Sequence, residues 1–375
     1  MGARASVDSP PLRGIAYILI AGSAFCASAF TSIDPAVIGI ELRGDAYSPS
    51  GSGRGNHVES RPFYLRCQYS SFADDTALYA RAYADAERRI SMREKAGGTE
   101  SEPESREKRY EPSEYETVNG CDNRNSSYEC HAGQVHTILA GTISHHLFIR
   151  NLIAEYFIDL SRHVHPKTII LIGPNHHARG HSPIAVSALR WRTPFGFVEP
   201  DSEAIRKVAC CGFASVEEEP FVNEHSIGAL VPFIRKTFPG SRIVPIIFKK
   251  VANREDCGKL ASVLAGLMDS TLILASLDFS HYKTSREAEV EDAASLKVLR
   301  SLYTGLVEEA FVDSRPALLT LMQTCKNLGA TNVNVVQHTN SGILAKNPHV
   351  ACTSYINTWI STRPHQMENF RRKNL

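Results

Sequence analysis

The alternation of strand and helix patterns between Gln134 and Thr362 constrains the fold more than any other feature of this sequence. Short apolar runs such as "KTIILIG" are typical of strands that are buried on both faces. Between them, stretches such as "LFIRNLIAEYFIDL" repeat their apolar residues close to the helical period. This alternation predicts an α/β fold in which helices cover both faces of a mostly buried sheet.

Composition divides the rest of the chain into three further segments. Residues 1–43 are an apolar N-terminal extension, residues 44–133 are rich in Gly, Ser, Glu, Lys and Arg, and residues 364–375 form a polar tail. A segment with few aliphatic residues buries too little apolar surface to offset its chain entropy. We therefore expect residues 44–133 to be a mostly disordered linker with one short helix around "DDTALYARAYADAERRI", and residues 134–363 to be the folded domain.

The N-terminal extension bears on localisation. It contains "GIAYILIAGSAFCASAF", an apolar run of signal-peptide length with small residues near its end. Gly and Ser dilute this run, which argues against a firm transmembrane span. A cytoplasmic protein is favoured. The alternatives are membrane association or export through this segment, and an extension that has no targeting function.

Charge and cysteine usage exclude some classes of function. The sequence has 41 Lys and Arg against 40 Asp and Glu, so no electrostatic argument favours a nucleic-acid binder. Its 9 cysteines include no C-x-x-C pair and no zinc-like spacing, which favours reduced thiols in a cytosolic domain. A strained disulfide between the adjacent Cys210 and Cys211 is the less favoured alternative.

Histidines collect where predicted strands end. Ligands gather at such ends in open α/β sheets, because the loops converge there. Four motifs carry these residues: "GTISHHLF" with His145, "GPNHH" with His176, "LDFSHY" with Asp278 and His281, and "NEHSIG" with Glu224 and His225, where Asn223 is the expected helix N-cap.

Imidazoles from separate loops are typical of transition-metal sites. Iron, zinc and copper all accept such ligands, and one carboxylate would complete a two-histidine, one-carboxylate set. The alternative is that each histidine only makes hydrogen bonds at its strand end. The sequence contains neither H-E-x-x-H nor G-x-S-x-G, so zinc-peptidase and α/β-hydrolase interpretations lose their usual support.

An ordered series of motifs resembles the Memo family. The series is "GTISHHLFIRNLIAEYF", "PKTIILIGPNHHARG", "RTPFGFVEPD", "EHSI", "LILASLDFSHY" and "VVQHTNSGIL", and it extends over roughly Gln134 to Thr362. Within the family the chain looks like the bacterial branch called AmmeMemoRadiSam system protein B. The resemblance implies a three-layer αβα fold with a mixed sheet, similar to class III extradiol dioxygenases.

The resemblance also implies a ligand set. Memo proteins use the first histidine of a Pro-His motif, the first of Gly-Pro-Ser-His-His, and a cysteine before a helix. These positions correspond to His145, which follows Ser144 in place of Pro, to His176, and to Asp313 in place of the cysteine. A carboxylate instead of a thiolate favours Fe(II) or Mn(II), with copper or zinc as alternatives. Equally open is that Asp313 caps the helix beginning near Pro316.

By the same resemblance His281 is the acid/base residue, surrounded by Asp278, His225 and Glu224. An imidazole titrates near neutrality and a neighbouring carboxylate can select its tautomer, so this role is chemically reasonable. The family often has Glu where this chain has Gly228, so one carboxylate is absent.

Two hypotheses of different classes follow. In the first, the protein is a non-haem metal-dependent oxidoreductase that acts on a small molecule and works with radical-SAM and AMMECR-type partner proteins. In the second, it is a non-catalytic adaptor whose cleft holds a peptide or a partner protein. Neither involves nucleic acid, and membrane contact would occur only through the N-terminal segment.

Overall fold

The computed structural model of the protein describes residues 64–66, 76–95 and 137–363. None of the helices within these ranges combines the length and the apolar character needed to cross a membrane. The apolar N-terminal run, most of the predicted linker and the polar tail lie outside the described residues, so the predictions made for them stay predictions.

Strands and helices alternate through the domain as the sequence predicts. The strands are β1 (Tyr64–Arg66), β2 (Thr137–Ile143), β3 (Thr168–Pro174), β4 (Ile184–Val186), β5 (Arg190–Thr193), β6 (Gly196–Val198), β7 (Ser215–Val216), β8 (Arg242–Phe248), β9 (Thr271–Ser276), β10 (Phe279–Lys283), β11 (Asn332–Asn340) and β12 (Cys352–Thr362). The α-helices are α1 (Thr76–Lys95), α2 (Arg150–Ser161), α3 (Ser202–Ala209), α4 (His225–Gly228), α5 (Val231–Thr237), α6 (Arg254–Ala265), α7 (Ser285–Ser301), α8 (Arg315–Asn327) and α9 (Ser341–Leu344).

A mixed sheet of 9 strands forms the centre of the domain, in the order β10-β12-β2-β9-β3-β8-β4-β7 with β11 paired to β12. The middle strands β2, β9, β3 and β8 are parallel, whereas β4 and β12 join this group antiparallel. A second, 3-stranded sheet consists of β1, β5 and β6. Because the middle strands run in one direction, their carboxyl ends meet at one edge.

Helices cover both faces of the large sheet, which makes the fold a three-layer αβα arrangement. Consecutive residues of β3 alternate between two apolar clusters: Ile169 and Leu171 pack with α1, α2, α4 and α5, and Ile170 and Ile172 pack with α3, α6, α7 and α8. Each of these four side chains is fully buried. Burial on both sheet faces explains why the strand is a continuous apolar run rather than an alternating one.

Helix α1 confirms the short helix predicted within the linker segment. Tyr83 of α1 donates a hydrogen bond to the carbonyl oxygen of Phe233 at 3.2 Å, and Arg89 contacts Glu155 of α2 at 2.8 Å. Several α1 side chains, including Tyr79, are buried in the same cluster as α2 and α5. This part of the segment therefore belongs to the packed domain.

The segment "HSIGALVPFIRKTF", whose pattern predicts a helix despite Pro232, does not form one continuous helix. The structure divides it into α4 and α5, and Pro232 lies in the first turn of α5. Proline is tolerated in a first turn, where its missing N–H would have no partner inside the helix, but not in a helix interior. The break places His225 at the start of a separate short helix.

Candidate metal centre

The candidate site lies at the edge where the parallel strands end. His145 follows β2, His176 follows β3, and Asp278 follows β9, and these three strands are neighbours in the order β2-β9-β3. Strands far apart in sequence thus bring their following loops together. Within the described residues, coordinating atoms of His145, His176 and His225 lie within 4.8 Å of one another.

His145 is held in a defined tautomer. Its Nδ1 lies 3.0 Å from Oγ of Ser276, whose own hydroxyl donates to the carbonyl oxygen of Ser226. Since that hydroxyl hydrogen is already used, Ser276 can only accept from Nδ1–H, which leaves Nε2 of His145 with a free lone pair. Burial, and then the neighbouring His176, hold the pKa of His145 well below its usual value, so the ring is neutral.

His176 is oriented by a buried carboxylate. Glu224 Oε1 accepts from Nδ1 of His176 at 2.8 Å, and Oε2 accepts from the His176 backbone N–H at 2.8 Å. Burial by itself would raise the pKa of Glu224, but the hydrogen bond and charge of His176 lower it to about 2. Glu224 is therefore ionised, Nδ1 of His176 donates to it, and Nε2 is the nitrogen that faces Asp313. A carboxylate behind an imidazole is typical of metal-binding histidines.

Glu224 also begins α4. Its Oε1 accepts from the Ser226 backbone N–H at 2.9 Å, so Glu224 is the N-cap, and the expectation that Asn223 has this role is wrong. Asn223 instead takes the left-handed conformation, with φ of 65°. One carboxylate thus links the start of α4 to the His176 loop.

His225 completes the histidine cluster. Its ring stacks on that of His176 with centroids 3.9 Å apart and meets the ring of His145 edge-on at 5.1 Å. Burial, followed by the neighbouring His145 and His176, lowers the pKa of His225 to about 3. A neutral ring presents a lone pair, so His225 is a ligand candidate as well as the catalytic residue predicted from the resemblance.

The structure separates the two roles that the sequence left open for Asp313. Ser314 is the N-cap of α8, where its hydroxyl accepts from the Ala317 backbone N–H at 3.3 Å. The carboxylate of Asp313 instead faces the histidines, with Oδ2 at 3.5 Å from Nε2 of His145 and 3.9 Å from Nε2 of His176.

The second oxygen of Asp313 is buried and has no hydrogen-bond partner among the described residues. Burial, then the charge of Asp278, raise the pKa of Asp313 well above its usual range. Asp278 Oδ2 lies 3.4 Å from Nε2 of His145, while Oδ1 accepts from the hydroxyl of Ser144. Two carboxylate oxygens and imidazole lone pairs thus converge, an arrangement that a cation would stabilise.

His281 lies beside this cluster on β10. Pairing of β10 with β12 shifts register on both sides of His281, and Ser280 and Tyr282 both have positive φ. The ring makes no hydrogen bond to another residue in the described part of the chain. Burial lowers the pKa of His281, and the charge of Asp278 acts in the opposite direction. The half-buried ring is therefore neutral near pH 7 with both nitrogens available to a ligand.

These groups line a cleft of about 900 Å³. Six of the seven predicted site residues are in its lining, and Glu224 lies behind His176. His177, the residue after His176, is exposed and does not line the cleft.

Sequence reasoning missed Ser276 and the basic residues at the mouth, which are Lys250, Arg254, Lys283 and Arg315. Ser276 is the last residue of β9, directly before "LDFSHY". Its position in the sequence therefore indicates the same edge of the sheet as the candidate ligands. The basic residues carry no motif, so no sequence signal indicates them.

Comparison with known proteins supports the assignment that these motifs suggest. The profile of the family described as "Memo-like protein" matches residues 144–357, which is more than half of the chain. The protein belongs to the Memo family. The matched range contains all seven predicted site residues of this Memo protein.

Several relatives and one solved structure resemble this Memo protein. A "MEMO1 family protein" of Caldivirga maquilingensis is 30% identical over 204 residues, which cover 50% of this chain and 71% of the relative. One from Aquifex aeolicus is 31% identical over 193 residues, covering 47% and 69%. The crystal structure of the uncharacterized protein JW3007 from Escherichia coli K12 matches with a TM-score of 0.42 and 12% identity, over 58% of this chain and 99% of that one.

Proposed function

We propose that this Memo protein is a non-haem metal-dependent oxidoreductase whose divalent metal, with iron favoured, is held by His145, His176 and Asp313. The observation that carries the proposal is the convergence of two imidazole Nε2 atoms on a buried carboxylate. Nε2 of His145 carries no proton, because burial keeps that ring neutral and its Nδ1–H donates to Ser276. Nε2 of His176 is the nitrogen that a metal would bind, because Nδ1 is engaged with Glu224.

Asp313 fits the third position better than Asp278. Donor atoms that share one ion lie roughly 3 to 3.5 Å apart, because metal–ligand distances are about 2.1 Å. Asp313 Oδ2 is within 4 Å of Nε2 of both histidines, whereas Asp278 Oδ2 has such a contact only with His145. His225 is then a fourth group beside the set.

The donor types favour iron over copper. Imidazole suits iron, zinc and copper, but a hard carboxylate in place of a thiolate selects against Cu(I). A bound Fe(II) in such a set supplies a Lewis acid and a redox centre with open positions for oxygen donors.

The remaining residues position the histidines and handle protons. Ser276 and Glu224 set the two tautomers before any ligand arrives. His281, neutral and without a hydrogen bond to any other described residue, accepts a proton from a substrate hydroxyl in the cleft. Asp278 stabilises the imidazolium that results, because its charge raises the pKa of His281.

Elemental analysis after anaerobic purification tests the proposal. We expect near-stoichiometric iron, or full loading with added Fe(II), in the wild type. His145→Ala and His176→Ala should each lose the metal, whereas His349→Ala, which removes an exposed histidine, should retain it. Asp313→Asn should weaken binding more than Asp278→Asn, because only Asp313 contacts both histidines.

A wild-type protein that cannot be loaded with iron, zinc or copper would refute this proposal and favour the adaptor hypothesis, in which the cleft holds a peptide or partner protein. Cooperation with radical-SAM and AMMECR-type proteins is a separate proposal that rests on the resemblance alone. Co-purification of the three proteins from one cell extract would support it.

A further inference from the structure

The charges of the cleft are distributed unevenly between its floor and its mouth. Four acidic and four basic side chains line it. The acids Asp278 and Asp313 are on the floor, where their side chains are 6% and 8% exposed. The other charged side chains are nearer the mouth.

Only part of the basic charge at the mouth is compensated locally. Lys283 pairs with Glu291 at 3.2 Å. Arg254 and Arg315 share a single carboxylate, that of Glu308, at 4.0 and 3.8 Å. Backbone carbonyls hold both guanidinium groups in place, Thr304 for Arg254 and Ala310 for Arg315. One arginine charge is therefore left without a matching acid in the lining.

Lys250 adds a second uncompensated charge. It lies two residues after the end of β8, is exposed, and forms no ion pair or hydrogen bond with any other described residue. Both Lys250 and His281 line the cleft. Lys250 thus faces the same space as the proposed acid/base residue.

A divalent ion on the floor would balance Asp278 and Asp313, and the four basic side chains of the lining would then outnumber Glu291 and Glu308 by two at the mouth. We propose that the substrate is a small organic anion, which meets the metal through oxygen donors at one end and Lys250 through a carboxylate or phosphate at the other. This inference rests on the proposed function, because it takes the floor to hold a metal.

Hydroxamates provide suitable probes, because they bind metals through two oxygens and can carry a distal group. The neutral series is the hydroxamates of butanoic, pentanoic and hexanoic acid. The carboxylate series is the monohydroxamates of succinic, glutaric and adipic acid, and the phosphonate series has a phosphonate at the same position. Anaerobic calorimetry with Fe(II)-loaded protein measures the dissociation constant of each probe.

We expect the best anionic probe to bind about three- to tenfold more tightly than its neutral counterpart, with the difference shrinking at high salt. Lys250→Ala should abolish most of this preference, and Lys250→Glu should reverse it, while binding of the neutral series is unchanged. The control is Lys259→Ala, which removes an exposed lysine of α6 that pairs with Glu255 away from the cleft. Whichever of the two anionic series binds more tightly indicates whether the substrate carries a carboxylate or a phosphate.

The outcomes separate this inference from the proposed function. If neutral hydroxamates bind and the anionic ones bind no better, or if Lys250→Ala keeps the preference, the anion inference is overturned and the metal site stands. If the wild type takes up no metal and binds no hydroxamate, both proposals fall together.

Discussion

The histidines after β2 and β3 are held by hydrogen bonds that they donate to buried groups, whereas His281 lies on a strand that twice departs from regular pairing. In His145 and His176, Nδ1 donates a hydrogen bond to a fixed acceptor and Nε2 faces the cleft. Neither ring nitrogen of His281 forms a hydrogen bond with another described residue. The first arrangement suits binding, which needs preorganised ligands, and the second suits proton transfer, which needs a ring that can approach a substrate.

What holds His281 in place is its backbone rather than its ring. Ser280 donates a hydrogen bond from its hydroxyl to buried Asp292 at 2.7 Å, and the other oxygen of Asp292 lies 2.9 Å from Nε2 of His338. On the other side, exposed Tyr282 has φ of 60°. Four predictions test this contrast between the histidines that are held through their rings and His281, which is held through its backbone.

Glu224→Gln should have the largest effect. An amide nitrogen cannot accept, so Gln cannot satisfy at once the three N–H groups that Glu224 now accepts, and His176 loses its fixed tautomer. We expect Fe(II) affinity to fall about 10- to 100-fold in a chelator competition assay. The matched control is Glu218→Gln, since Glu218 is also buried but binds Ser187 and Ala188. Unchanged affinity in Glu224→Gln would mean that preorganisation does not matter here.

Asp292→Asn should destabilise the β10 segment that carries His281 and leave the proposed metal site at His145, His176 and Asp313 intact. One of its two partners, Ser280 or His338, would lose a charged acceptor in a buried position, at a cost of about 2 to 3 kcal/mol in the free energy of unfolding. Urea unfolding measures this cost, and iron content should be unchanged. The neighbouring Glu291→Gln, which breaks the ion pair with Lys283, should cost less than about 1 kcal/mol. Loss of iron in Asp292→Asn would show that the β10 segment and the proposed metal site are not independent.

Acid should destabilise the metal-free protein through the histidine cluster. The folded pKa of His225 is about 3, below its unfolded value of about 6.5, so the unfolded state binds more protons as pH falls from 6.5 towards 3. The free energy of unfolding therefore falls in that pH range, and His225 accounts for about 1 to 2 kcal/mol of the decrease between pH 7 and pH 5. In urea unfolding at the two pH values, His225→Asn should show a decrease that is smaller by this amount. A wild-type protein equally stable at both would contradict the assignment of a buried neutral ring.

Tyr282→Asn should have the smallest effect, and it should stabilise the protein rather than destabilise it. Asn tolerates the left-handed conformation better than Tyr, and Tyr282 is 87% exposed, so little packing is lost. We expect the free energy of unfolding to rise by about 0.5 kcal/mol. Tyr303→Asn is the control, because Tyr303 is exposed with an ordinary φ of −88°. A decrease in Tyr282→Asn alone would mean that the tyrosine ring stabilises the β10 segment.

Much of the fold could be predicted from the sequence because strands and helices leave local periodic patterns. The runs that became β3, β8 and β9 are apolar along most of their length, since both of their faces are buried. The short β5, β6 and β7 carry too few residues to show a period, and they were not predicted. The division between α4 and α5 was missed because a proline in a helical pattern is compatible with either a break or a new first turn.

The sequence by itself determined that histidines and acids follow several strands of an α/β domain, because residue type and local period are properties of neighbouring positions. Only the tertiary structure decided that Ser314 caps α8 and that Asp313 faces His145, a residue far away along the chain. It also decided which ring nitrogens are bound to fixed acceptors, and that Lys250 and His281 line the same cleft. These facts depend on which strands are neighbours in the sheet, and strand order is set by packing across the whole domain rather than by any local pattern.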